Sequence, residues 1–168
     1  KDHAILPFSP ADQAYAETGL FGFRTFFRQN GAVREPFSGS GAISAQERMQ
    51  IEPDRLCLES MDSETGLRVK VVYFTVPNEA YAALCRKVTI ENTTRQKAEW
   101  EALDGLARLV PYGIGHIAYK TMSNTLGAWM DVFNLENGVP FFRVRASVED
   151  SETSEQITGG YFCLSTVD

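Results

Sequence analysis

Period-two alternation between Leu67 and Tyr73 is the feature that most restricts what this chain can become. In LRVKVVYFTVP, Leu67, Val69, Val71 and Tyr73 fall on one face with Arg68 and Lys70 opposite, the pattern of a half-buried strand. Pro77 ends it. LCRKVTIENTT then places Leu84, Val88 and Ile90 on one face and Lys87, Thr89 and Glu91 on the other, with Arg86 an exception on the apolar side. Asn92-Thr93-Thr94 supplies turn chemistry, because short polar side chains bond to nearby backbone and compete with extended structure. In QKAEWEALDGLARLVPYGIG, Ala98, Trp100 and Ala102 alternate with Lys97, Glu99 and Glu101 before Gly105 and Pro111. Together these make an antiparallel meander with a hairpin turn at Asn92-Thr94.

The flanking sequence continues the theme. Ser9-Pro10-Ala11-Asp12 reads as a turn or a single helical turn with proline at its start. GLFGFRTFFRQN reads as a strand with aromatic residues on both faces. Residues 29 to 42 read as loop, with Asn30-Gly31 a tight turn and Gly39-Ser40-Gly41 a flexible corner. AISAQERMQIE and DRLCLESMD are strands around Pro53-Asp54, and Ser63 to Gly66 is a hairpin loop. From Ile117 to Phe133 apolar residues recur at near-helical spacing, predicting a helix or a helix and a strand. PFFRVRASVED sets Phe142, Val144 and Ala146 opposite Arg143 and Arg145 as a strand, and YFCLSTV is the last one. Strand and turn signals at roughly ten-residue intervals favour a sandwich over alternating βαβ units. The expected fold class is all-β with a minor helical segment, an antiparallel β-sandwich occupying 1–168 as a single domain.

Composition excludes several classes of function. A formal charge of -6, with 16 basic residues scattered among 22 acidic ones, argues against nucleic acid, since phosphate neutralisation needs clustered Lys and Arg. No run approaches the roughly 20 apolar residues that span a bilayer, so no membrane partner is expected. Cys57, Cys85 and Cys163 are too far apart for a metal spacing, and an odd count without a framework suggests a reducing, cytoplasmic compartment. The chain opens at Lys1 without methionine or an apolar signal region and closes at Asp168 after a strand-like segment, which reads as a piece cut from a longer polypeptide.

Chemistry-bearing groups are sparse. His3 and His116 cannot assemble a paired-histidine site or a three-histidine metal site, so no metal and no cofactor are expected. There is no GxSxG elbow, and the three cysteines read as core atoms. Glu99, Glu101 and Asp104 are close in sequence, and Asp131 stands beside Trp129, but each is read as a structural carboxylate rather than a catalytic acid. Asn92-Thr93-Thr94 matches a glycosylation acceptor, yet serves better as a turn. Aromatics beside arginines carry the remaining suggestion, since flat rings stack on sugar faces and guanidinium groups grip hydroxyls or phosphate. Phe23-Arg24, Phe26-Phe27-Arg28, Trp129 and Phe141-Phe142-Arg143 fit, although most of the 11 Phe must be core.

GLFGFRTFFRQ, VTIENTT with the following ALDGLARLVPYGI, and WMDVFNLENGVPFFRVRAS resemble the amino-terminal β-sandwich of glycoside phosphorylases related to cellobiose phosphorylase, over about a third of the chain. That resemblance implies a sandwich of the galactose-mutarotase type, followed in the parent chain by an (α/α)6 barrel that carries the catalytic acid and the phosphate site. The parent enzyme would cleave β-glucosidic bonds with inorganic phosphate, inverting the anomeric centre without a cofactor. The part seen here would be non-catalytic, bracing the barrel, building a homodimer contact and lending residues to the rim of an oligosaccharide site. Arg24, Tyr112, His116 and Trp129, near glycine-rich corners or the switch from sheet to helix pattern, are the carbohydrate-binding candidates. A free-standing carbohydrate-binding module or lectin-like protein is the alternative. A mutarotase-like isomerase, which needs a histidine and carboxylate around one pocket, is disfavoured by two scattered histidines.

Overall fold

The computed structural model describes residues 4–6, 9–38, 45–122, 124–147, 152–153 and 155–167, without the side chains of Thr18, His116 and Asn124. The fold is built mostly of antiparallel strands with short helices, the all-β class that the alternation predicts. Where the sequence reading treats 1–168 as one sandwich, the contacts of the chain gather in two compact units, 23–105 on one hand and 1–22 with 106–168 on the other.

The unit 23–105 is a sandwich of a three-stranded and a four-stranded sheet. Strands β1 (Phe23–Gln29) and β2 (Ala32–Arg34) form a hairpin whose turn residues Asn30 and Gly31 have φ of 50° and 81°. Two successive left-handed residues give the turn whose twist suits a two-residue hairpin. The region expected as loop from 29 to 42 therefore contains a strand, while Gly39-Ser40-Gly41 lies outside the described residues. Strands β3 (Ala45–Glu52), β4 (Arg55–Asp62), β5 (Leu67–Thr75) and β6 (Leu84–Asn92) pair in sequence order as an antiparallel meander. The Val76 N–H donates to the Ala83 carbonyl at 3.3 Å, closing an exposed loop over residues 77–82.

Core position follows from the alternation. Leu67, Val69 and Val71 of β5 are buried with Phe27 of β1, and Phe37, Leu58, Tyr73, Val88 and Trp100 pack around them. The Trp100 ring meets Phe27 edge-on at 6.2 Å. Each such side chain contributes about 1.5–3 kcal/mol by leaving water.

Two expectations for this unit need correction. The third strand of the meander does not extend the four-stranded sheet: β7 (Glu101–Leu106) pairs with β1 in the other layer. The Asn92-Thr94 turn is thus a crossing between layers rather than a hairpin. Asn92 Oδ1 accepts the Thr94 N–H at 2.9 Å, and Thr93 donates its N–H and its hydroxyl to the Gly66 carbonyl at 2.9 and 2.8 Å. Continuing the hairpin would keep Trp100 off Phe27. Leu84 and Ile90, expected inside, are 43% and 49% exposed because β6 is a sheet edge. The residue held inside near that edge is Arg86, whose side chain is only 8% exposed.

The second unit contains α1 (Ala11–Phe21), α2 (His116–Met122), α3 (Asn124–Gly127), β8 (Met130–Phe133), β9 (Phe141–Val144) and β10 (Tyr161–Phe162). The helix α1 replaces the single turn expected after Pro10 and the first residues of the expected GLFGFRTFFRQN strand. Ala11, Gln13, Ala14, Ala16 and Glu17 are strong helix formers, the Ala14 N–H donates to the Pro10 carbonyl at 2.8 Å, and Gln13 donates to Glu17 at 2.9 Å. The near-helical spacing beyond Gly113 resolves into the helical stretches α2 and α3, which lie on either side of Ser123, a residue outside the described ones, and then β8, as the reading of a helix and a strand predicts. Strands β8 and β9 form a hairpin in the sheet order β10-β9-β8. Ile114, Leu126 and Val144 form the core, covered by Ala118, Tyr119, Met122 and Ile157. The final strand is confined to Tyr161–Phe162, and Cys163, expected in the core, is exposed just beyond it. No described helix is long and apolar enough to cross a membrane.

Candidate functional site

In the second unit a short helix and a hairpin carry one aromatic ring and one ion pair to a common cleft. Leu126, fully buried, seats α3 on the core, and the N–H groups of Ala128 and Trp129 donate back to Thr125 and Leu126 at 3.2 Å. The helical turn so extended delivers Trp129 at the start of β8 with its side chain half exposed. Along the hairpin Met130 faces Val144 and Asp131 faces Arg143, so Asp131 and Arg145 lie diagonally on one face. Arg145 Nε donates to Asp131 Oδ2 and its terminal nitrogen reaches Oδ1 at 3.3 Å. That hydrogen bond, and then the neighbouring charge, hold the Arg145 guanidinium above its ordinary pKa. Trp129, Asp131, Val144, Arg145, Ala146 and Ser147 line a cleft of about 630 Å³.

This arrangement suits a polyhydroxylated ligand. An indole face stacks on the C–H face of a sugar ring, while a carboxylate and a guanidinium accept from and donate to its hydroxyls. Arg145 is 82% exposed, so its pairing with Asp131 is readily exchanged for ligand contacts.

The four candidates read from sequence have different surroundings. Trp129 lines the cleft. Tyr112 is tied to the lining residue Val144 instead: its carbonyl accepts the Val144 N–H at 2.9 Å, it bridges in parallel to Arg143, and its ring meets Tyr161 edge-on at 5.2 Å. Burial, and then the adjacent Tyr112, push the Tyr161 phenol up in pKa. The backbone of His116 opens α2, and its side chain lies outside the described residues. Arg24 belongs to β1 in the other unit, where it donates to both carboxylate oxygens of Glu35 at 2.6 and 2.8 Å and covers the Phe26 ring at 4.6 Å. Asp131, weighed above as an acid, and Arg145 and Ser147, not singled out, complete the cleft. The legible signal for them was the shared face of WMDVF and FRVRAS once those strands are paired.

Several other charged residues of the sandwich pair within it. Arg86 donates to the Tyr73 hydroxyl at 2.9 Å, the Thr25 hydroxyl at 2.7 Å and Asp104, with its guanidinium over the Phe23 and Tyr73 rings at 5.6 and 5.5 Å. Glu101 pairs with Arg28, whose hydrogen bond, followed by its charge, lowers the Glu101 pKa. Arg34 helps to line a smaller cleft of about 320 Å³, reaching Asp62 at 3.1 Å and Glu64 at 3.2 Å. Among the described residues no three His, Cys, Asp or Glu side chains converge where a metal ion could sit.

Fold and cleft together define an all-β protein with an aromatic, charge-lined groove. Set against known proteins, the chain matches no family model and no curated protein.

Proposed function

We propose that this chain is the non-catalytic, sandwich-bearing part of a carbohydrate-active enzyme, an inverting, phosphate-dependent β-glucoside or oligoglucan phosphorylase of the cytoplasm. Its work is to brace a helical catalytic barrel in the same polypeptide and to lend Trp129, Asp131 and Arg145 to an oligosaccharide. The observation that carries the sugar contact is the half-exposed Trp129 ring beside the Asp131 and Arg145 pair in a 630 Å³ cleft. The phosphorylase assignment rests on the resemblance of three stretches, which lie on α1 with β1, on β6 through the corner at Gly113, and on β8 with β9.

A second reading, a free-standing carbohydrate-binding module, is favoured by one feature: every residue lining the Trp129 cleft comes from the same unit of this chain. Titration with β-linked gluco-oligosaccharides, followed by tryptophan fluorescence, separates the readings. The other indole, Trp100, packs on Phe27 and supplies a constant background. Saturable quenching by the chain alone, lost in Trp129→Ala, supports the module. Quenching that requires the barrel polypeptide supports the accessory role. No Trp129-dependent response in either preparation overturns both.

A further inference from the structure

The four-stranded sheet ends in β3, a strand of eight residues whose outer edge carries no partner strand among the described residues. The opposing sheet covers the middle of its inner face: Phe27 of β1 packs on β5, Asp104 of β7 reaches Arg86 of β6, and Arg34 of β2 reaches Asp62 of β4. At β3 the cover stops partway. Glu47 accepts the Phe37 N–H at 2.7 Å, whereas Met49 and Ile51 on the same face are 63% and 74% exposed. Long edges of this kind present unsatisfied backbone donors and acceptors together with apolar side chains, a template for another strand.

We infer that β3 pairs antiparallel with β3 of a second copy of this chain, centred on Gln50. The sequence of the strand selects this occupant. A two-fold axis that keeps both inner faces on one side requires paired residue numbers with an even sum, because faces alternate with period two. Centring on Arg48 sets two guanidinium groups opposite each other, and centring on Met49 sets Glu47 against Ile51. Centring on Gln50 places Arg48 opposite Glu52 and Met49 opposite Ile51, each pairing made twice by symmetry. Charge meets opposite charge on the outer face, and the two exposed apolar side chains cover one another on the inner face beside half-buried Leu56 and Leu58. The two sheets then join into one of eight strands. This inference is independent of the sugar reading.

Analytical ultracentrifugation of the chain tests it. The expected result is a sedimenting mass twice that of the monomer, reduced to the monomer mass in Arg48→Glu and in Glu52→Arg, and restored in the double variant Arg48→Glu with Glu52→Arg. Circular dichroism checks that each single variant keeps its fold. Register is read separately by a disulfide. In a background with Cys57, Cys85 and Cys163 replaced by alanine, needed because Cys57 lies directly opposite Gln50 on β4, Gln50→Cys cross-links two copies on mild oxidation. Gln46→Cys does not. A chain that sediments as a monomer, a dimer indifferent to Arg48→Glu, or cross-linking no faster at position 50 than at position 46 overturns the proposal.

Discussion

Arg86 shows how much one side chain can be asked to hold. An arginine enclosed near a sandwich edge must have its donors met, and here two hydroxyls, a carboxylate and two aromatic faces meet them. Asp104 remains about a third exposed, so solvent softens the loss when its partner goes. Arg86→Met is expected to lower unfolding stability by about 2–3 kcal/mol in urea titration, and Arg86→Lys by less, since the charge survives but the planar fork does not. Tyr161 makes a prediction of opposite kind. Its phenol is raised by burial and by Tyr112, so the fold favours the neutral form. The contribution is whole below the unfolded pKa of about 10 and lost as pH rises through the higher folded value. Thermal melts should therefore fall on the alkaline side, and Tyr161→Phe should flatten that limb with only a small change in the melt near neutrality, where the long 3.4 Å hydrogen bond to the Ala4 carbonyl is lost.

Among the elements, the hairpin between β4 and β5 and the crossing after β6 are tied to each other. Gly66 has φ of 69°, its carbonyl takes both donors of Thr93, and a Cβ there would come within 2.2 Å of Thr94 Cγ2. Gly66→Ala is expected to cost about 1–3 kcal/mol, through left-handed strain and displacement of the crossing, measurable as a lower urea midpoint. The same region marks how far sequence reasoning reaches. Strands β4 and β5 were legible because each buries alternate positions on one face, which writes period two into Leu67, Val69 and Val71. Asn30-Gly31 was legible because few residue pairs accept two positive φ values. The destination of β7 was not, since alternation states which face is buried but not which neighbour completes the ladder. Helix α1 was missed because proline and short polar residues around it resemble a turn, while its alanines carry no apolar stripe. At the candidate site Trp129 stood out as an aromatic in a segment of changing pattern. Arg145 and Ser147 emerge only when β9 folds back on β8. Arg24, which the local pattern marked equally, is committed to Glu35, a partner eleven residues away that no short window pairs with it.

At the scale of the whole chain, two separate sets of apolar side chains form two cores, one around Phe27 and Val69, the other around Leu126 and Val144. The closed loop over residues 77–82 then has a practical meaning. Its feet are pinned by the Val76 to Ala83 bond and the Thr75 and Leu84 pair beneath it, so the ladder does not depend on what lies between them. Loop entropy grows slowly, at about 0.6 kcal/mol for each doubling of length. A peptide epitope or small fluorescent graft spliced after Asn78 should leave the melting profile almost unchanged, giving a handle for surface immobilisation well clear, in sequence, of β3 and Trp129.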